Sequence, residues 1–210
     1  EGIGLHSGDR IRMCVRPGRE GIAFVRDGVR IPARPENVVD TRLNTTLGIG
    51  GVTVSTVEHL MSAFCGLGIT DCEIEVSGAE VPVCDGSALP LFDLLRKAGR
   101  EILPGDLEVI EVREPITAGE GGSWIEALPG PLSITYEIDF PSRAIGAQRF
   151  VFDGEGYGDL IAPARTFGML KDVEMMRSAG LALGGSLDNA VVVDGEKVLN
   201  PEGLRFPDEF

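Results

Sequence analysis

Ile11, Met13 and Val15 stand at every second position among Arg10, Arg12 and Arg16. A period of two predicts a strand with one face in water. The stretches 22–26, 29–33, 41–48 and 52–54 continue the pattern as further strands. At Ser55 the period changes. Val57, Leu60, Met61 and Phe64 fall on one helical stripe between Ser55 and Gly66, with Gly66 and Gly68 as stop signals. Cys72, Ile74 and Val76 then alternate with Glu73 and Glu75, predicting a strand over 71–77, and 82–87 is a turn-rich link. A second helix follows, with Leu91, Leu94 and Leu95 as its inner side, Ser87 or Asp85 as its cap and Gly99 as its end.

Pro104-Gly105 marks a boundary between residues 1–104 and 105–210. Beyond it, strands are predicted at 107–114, 123–128, 132–140 and 148–152, then a helix near 170–179 closed by Gly180, then a strand at 190–194. Each half runs strands first and helix afterwards, which predicts an α+β fold rather than the alternating order of a doubly wound parallel sheet. The first half closes with a second helix. The second half is expected to lack one, since the chain runs through Asn200-Pro201-Glu202-Gly203 to Phe210.

Composition narrows the function classes. With 43% hydrophobic residues in 210, a real core is expected. Against 19 Lys and Arg stand 33 Asp and Glu, a formal charge of −14, which argues against general affinity for nucleic acid or anionic lipid. No apolar run approaches the ~18 residues of a spanning helix, so a soluble protein without stable membrane insertion is expected. Cys14, Cys65, Cys72 and Cys84 show no CxxC pairing and read as buried, reduced thiols of a cytoplasmic protein. The first residue is Glu1, not Met, so a natural start lying further upstream is expected.

Only His6 and His59 are available to any histidine-based chemistry, so a three-histidine site cannot be formed from this sequence. Ser55-Thr56-Val57-Glu58-His59 sets a carboxylate beside an imidazole in the first turn of a predicted helix. Such a pair can hold a metal and deprotonate its water. Ser55 and Glu58 also fit a capping box, in which Glu58 bonds back to the Ser55 N–H, and pattern alone favours that plainer role. The run Gly2-Ile3-Gly4-Leu5-His6-Ser7-Gly8 reads as a tight turn, its third glycine falling one residue late for a dinucleotide fingerprint. Arg165-Thr166-Phe167-Gly168 can present a hydroxyl and an aromatic face, or simply start a helix with Thr166 as cap. Gly184-Gly185-Ser186 permits close backbone approach and serves equally as a plain turn.

Taken with Ser55–Leu60, Asp85-Gly86-Ser87-Ala88, Ala164–Gly168 and Leu204-Arg205-Phe206, these blocks resemble, in order and approximate spacing, the bacterial UDP-3-O-acyl-N-acetylglucosamine deacetylases of lipid A synthesis. The resemblance spans essentially the whole chain and implies two similar α+β domains, layered as a two-layer sandwich with the site between them. It further implies a short β/α insertion at about 171–194 that forms an acyl-chain passage. On this basis His59 matches a zinc ligand, Glu58 the general base and Thr166 the hydroxyl that polarises the substrate carbonyl. Asp139, Phe140 and Phe167 match nucleotide and sugar contacts, while Leu5, Val173, Ala182, Ser186 and Val192 match the passage.

The implied reaction is zinc-assisted hydrolysis of the 2-acetamido group by a cytoplasmic monomer, releasing acetate and a free amine. The family's other two zinc ligands, a histidine and an aspartate, its general-acid histidine and its diphosphate-binding lysine are expected past Phe210. Ser123 stands where some members carry a lysine. The segment is therefore expected to be a fragment, inactive alone. Two other readings remain: a metal-free module binding UDP-sugar or acyl chains, and an unrelated dinucleotide-binding domain that element order disfavours.

Overall fold

The computed structural model describes residues 1–107 and 109–210. Strands β1 (Gly2–Ile3) and β2 (Arg10–Ile11) pair antiparallel around the first glycine-rich turn. Strands β3 (Met13–Pro17), β4 (Ile22–Arg26), β5 (Val29–Pro32), β6 (Val38–Asp40), β7 (Thr46–Ile49) and β8 (Val52–Val54) follow. Helix α1 (Glu58–Leu67), strand β9 (Cys72–Val76) and helix α2 (Leu89–Ala98) complete this half.

A four-stranded sheet runs in the order β3-β9-β4-β5, with β9 antiparallel to β3 and parallel to β4. Parallel neighbours need a crossover rather than a hairpin. Here the crossover contains the antiparallel β6-β7-β8 sheet and α1. Alternation along β9 buries Cys72, Ile74 and Val76 while Glu75 faces water. Phe24, Ile31 and Ile74 from the sheet join Leu60, Phe64 and Leu91 from the helices in one buried cluster. At ~1.5–3 kcal/mol for each such side chain, this cluster is the main stabilising element of the half. Burial, with Asp71 adding to it, pushes the Cys72 thiol up to about 12. All four cysteines are free, and Cys14, Cys65 and Cys84 are exposed, which corrects the expectation of buried thiols.

Strands β10 (Ile116–Glu120) and β11 (Ser123–Ala127) form one hairpin, and β12 (Ile134–Asp139) and β13 (Ala147–Phe152) another. Both turn apolar side chains to solvent, among them Trp124, Ile125 and Tyr136. After a short α3 (Tyr157–Leu160) come β14 (Phe167–Met169), α4 (Leu170–Ser178), β15 (Val191–Asp194) and β16 (Lys197–Val198). Here β14 and β15 are parallel with α4 as their crossover, a β/α unit covering the predicted insertion, and β16 returns antiparallel. From Leu199 to Phe210 the chain is turns and bends. Strands feeding helices in separate sheets make this an α+β fold.

Several predicted boundaries are corrected. The stretch 41–48 divides, because 41–45 bends between β6 and β7. The strand predicted at 107–114 is not formed by its described residues, strand structure beginning only at Ile116, and Glu108 lies outside the described residues. On α2 the inner residues are Leu91 and Phe92, while Leu94 is 69% exposed. Gly68, at φ 63, is the true stop of α1. Gly66 lies inside the helix for a different reason: a Cβ there would stand 2.2 Å from Cδ1 of Tyr157. The Tyr157 ring also packs on Phe92 at 5.3 Å, and its hydroxyl lies 2.7 Å from the Ser62 hydroxyl.

Gly66 therefore admits an aromatic ring from the second half against α1. An exposed helical glycine replaced by alanine gains stability from helix propensity. Gly66→Ala is expected to lose about 1–3 kcal/mol, the cost of overpacking a filled site, in urea unfolding of the chain. A gain would contradict the Tyr157 packing.

Candidate active site

The candidate residues near α1 are arranged by a backbone reversal just before the helix. Ser55 continues the strand: its N–H and hydroxyl both donate to the Ala79 carbonyl, and its own carbonyl accepts from Val81. Thr56 then takes φ 57, a left-handed conformation that is a genuine outlier for a β-branched residue. Strain of this kind costs about 1–3 kcal/mol and persists only where the surroundings enforce it. Enforcement comes from Glu80, whose carboxylate accepts the Thr56 hydroxyl at 2.9 Å.

Glu80 is 2% exposed. Besides Thr56 it accepts the N–H groups of His6 and Ser7 and the Ser7 hydroxyl, at 2.9–3.2 Å. Burial pushes its carboxyl up, but the His6 and Ser7 N–H donors and the two hydroxyls outweigh this and hold it below the ordinary glutamate value. One carboxylate thus ties the Gly2–Gly8 turn to the start of α1. The turn is the one expected from sequence, closed by Gly8 N–H to the Gly4 carbonyl at 3.0 Å.

The capping box is absent. The Ser55 N–H is committed to Ala79, and with Val57 at the N-cap Glu58 no longer stands at the capping-box spacing. Its carboxylate turns instead toward the bend at 41–45, where Oε1 accepts the Thr45 N–H. Glu58 Oε2 and His6 Nδ1 are both buried with no hydrogen-bond partner among the described residues. An unsatisfied buried polar atom costs ~1–3 kcal/mol and calls for an explanation. His59, the next residue along, is half-buried.

Thr166 is likewise not a helix cap, because Phe167 opens a strand and α4 begins only at Leu170 with Met169 at its N-cap. The Thr166 N–H donates to the Gly86 carbonyl at 2.7 Å, and its carbonyl accepts from Val191 at 2.8 Å. Arg165 bridges antiparallel to Ser87, and Glu80 bridges parallel to Ser55. The segment 79–87 therefore connects the Glu58–His59 turn at one end with Thr166 at the other. Asp85 organises its last turn, accepting the Ser87 N–H and hydroxyl at 3.0 and 2.8 Å.

Phe140 and Phe167 come together edge to face at 5.4 Å, and Phe210 completes a trio at 5.1 Å from Phe167. Asp139, at the end of β12, is exposed. Val173 and Val192 meet around Gly168: Val192 is its register partner, and Val173 Cγ2 lies 3.4 Å from where a Cβ would stand. Leu5 sits against the loop between Ala182 and Ser186, its carbonyl accepting the Gly184 N–H at 3.1 Å and its Cδ1 lying 3.6 Å from the Cβ position of Gly185, while no hydrogen bond ties it to Val173 or Val192 among the described residues. Close approach is the requirement at Gly184, where a Cβ would fall 2.1 Å from the Gly4 carbonyl oxygen. Ala182 is buried at φ 52, and Ser186 caps its own turn by accepting the Asp188 N–H.

A cleft of ≈ 350 Å³ lined by Gly2, Ile3, Arg10 and Ser77 contains none of these residues. No group of three His, Cys, Asp or Glu side chains with metal-binding geometry occurs among the described residues, and none of their helices is long and apolar enough to cross a membrane. Glu80 and Glu209 had no motif to announce them, and Arg165 stood in a singled-out block only as the neighbour of Thr166; a charged residue inside apolar or turn sequence was the one hint of burial.

Residues 1–210 match the family model LpxC, UDP-3-O-acyl N-acetylglycosamine deacetylase. Relatives called UDP-3-O-acyl-N-acetylglucosamine deacetylase are 46% identical in Oleidesulfovibrio alaskensis, covering 100% of this chain and 72% of that protein. Those of Anaeromyxobacter dehalogenans and Myxococcus xanthus are also 46% identical, each covering 100% of this chain and 70% of the relative.

Because Glu80 is more acidic in the fold than free, its contribution is full above the ordinary value of 4.5 and is lost as pH falls through the lowered folded value. Glu80→Gln is expected to cost on the order of 2 kcal/mol at neutral pH, the scale of buried bonds to a charged acceptor, and to flatten the acid limb of the stability curve. Denaturant titrations across that limb check it. An unchanged acid limb in Glu80→Gln would refute the assignment.

Proposed function

The chain belongs to the UDP-3-O-acyl-N-acetylglucosamine deacetylase family, and from that premise we propose that it carries the base and one metal ligand of a zinc-dependent amide hydrolase. Its substrate is then a UDP-linked, 3-O-acylated N-acetylglucosamine, and the reaction releases acetate and a free glucosamine amine on the way to lipid A. The observation that supports this best is Glu58 Oε2, buried and unpartnered beside His59. A capping carboxylate would have spent that oxygen on the helix.

In this reading Glu58 Oε2 receives the proton given up by the attacking water. The Thr166 hydroxyl donates to the acetamide oxygen as negative charge develops there, a single donor of this kind being worth roughly 3 kcal/mol. Fixing the Thr166 backbone on both sides, at Gly86 and Val191, suits such a donor. Zinc, when bound, supplies a Lewis acid and a water acidified toward pKa ~7. His59 is the residue that would hold the ion, and Glu58, one position before it in the chain, would use its unpartnered buried oxygen as the base. A catalytic zinc takes three protein ligands. With no three-donor cluster among the described residues, the 210 residues alone are proposed not to turn over substrate.

We further propose that Phe140, Phe167 and Asp139 receive the sugar and nucleotide, an edge-to-face aromatic pair being a suitable platform for a ring. Leu5, Val173, Ala182, Ser186 and Val192 would line the acyl chain's path along the β14–α4–β15 unit. Two domains, 1–104 and 105–210, would meet at the site, where Ser87 of the first bridges Arg165 of the second. A cytoplasmic monomer fits this role.

In the natural polypeptide carrying this sequence, Glu58→Gln is expected to lower kcat by about 10²–10⁴-fold, as removal of a general base does, with zinc still bound by metal analysis. Acetate release measured on the acylated UDP-sugar checks this. Retained turnover in Glu58→Gln would overturn the base assignment, and UDP-sugar binding without acetate release or zinc would identify a metal-free binding module.

A further inference from the structure

We infer that Arg165 and Glu209 are a positioning pair for Thr166, holding its backbone, through the turn at 85–87, where its hydroxyl can meet the substrate. The inference rests on the proposed role of Thr166 and assigns a task to two residues that do not themselves touch substrate.

The pair is fully interior, with side chains 2% and 0% exposed. Arg165 grips Glu209 with two nitrogens, Nε to Oε1 at 2.6 Å and Nη2 to Oε2 at 3.0 Å. Nη1 donates to Glu202 at 2.7 Å and Nη2 also to the Gly203 carbonyl at 2.9 Å. Glu209 in turn accepts the backbone N–H groups of Arg165, at 3.3 Å, and of Arg205, at 2.6 Å. Burial alone would push the Glu209 carboxyl up, but Arg165 and the Arg205 N–H hold it below the ordinary value.

The network continues to the candidate donor. Arg205 donates to Asp85 at 2.8 Å and to the Pro163 carbonyl at 2.8 Å. Asp85 orders the turn that presents the Gly86 carbonyl, and that carbonyl receives the Thr166 N–H. Thr166 is thus anchored from the residue before it, from the turn opposite it and from Val191 behind it. A buried ion pair is a poor way to gain stability, since apolar residues of the same volume often do as well. What an apolar pair cannot do is hold a backbone N–H and a carbonyl in fixed directions. Orientation matters here because a displacement of ~1 Å at a reacting group can cost 10²-fold in rate.

The test is a double-mutant cycle in the natural polypeptide with Thr166→Ala, Glu209→Gln and both together, reading kcat, KM and Tm. Thr166→Ala alone is expected to lower kcat by about 10²–10³-fold, the effect of losing one oxyanion donor. If it does not, the proposed role of Thr166 fails independently of the pair. Given that loss, Glu209→Gln is expected to lower kcat at least ~10-fold with KM nearly unchanged, and to add less than ~3-fold in the Thr166→Ala background, the non-additivity of coupled groups. Equal factors in both backgrounds, or a lowered Tm with intact kcat, would overturn the inference. Should Glu209→Gln fail to fold, Arg205→Gln, which cuts the half-exposed link to Asp85, is expected to show the same non-additivity at smaller size.

Discussion

Four donors converge on the buried carboxylate of Glu80: the His6 and Ser7 N–H groups and the Ser7 and Thr56 hydroxyls. Without that acceptor the Gly2–Gly8 turn has no partner for two backbone donors, and Thr56 has no reason to stay in a left-handed conformation. The rest of the site follows from it. A chain turned sharply at Thr56 leaves Ser55 in the strand ladder and starts α1 two residues later, so Glu58 and His59 emerge in the first turn with Glu58 aimed away from the helix end. The same interaction fixes the loop to which Gly184 and Leu183 dock through the Leu5 and His6 carbonyls. A single interior charge thereby relates the helix proposed to carry the chemistry to the segment proposed to guide the acyl chain.

A second interior charge cluster works at the other end of the segment 79–87. Arg165, Glu209, Arg205 and Asp85 join the chain's last residues to the turn at Gly86 and to Thr166. Both clusters act on backbone direction. Apolar packing supplies the driving force in the α1–α2–sheet core, while charged hydrogen bonds supply the orientation that hydrolysis of an amide demands.

Much of the fold was legible in periodicity. The stripe Val57, Leu60, Phe64 and the alternation at 72–76 report burial directly, and both proved to be core. Legibility failed where a tertiary contact overrode a local rule. Gly66 looked like a stop but admits Tyr157; Leu94 looked internal but faces water while Phe92 packs; Ser55 and Glu58 looked like a capping box although the Ser55 N–H was already taken by Ala79. The candidate site was legible mainly through the ordered resemblance of its blocks. Glu80, Arg165 and Glu209 have no periodicity to betray them, because most of their partners lie far along the chain, 24 and 74 residues from Glu80 and 44 between Arg165 and Glu209.

Glu58 is uncommitted to the helix, and its proposed role requires that it face a metal held by His59. Anomalous diffraction at the zinc edge from crystals of the natural polypeptide tests this most directly. The expected result is a zinc peak bonded to His59, with Glu58 within hydrogen-bonding reach of a metal-bound water and its other oxygen on the Thr45 N–H. A crystal of zinc-replete protein with no metal at His59, or with Glu58 folded back onto the Ser55 N–H, would contradict it.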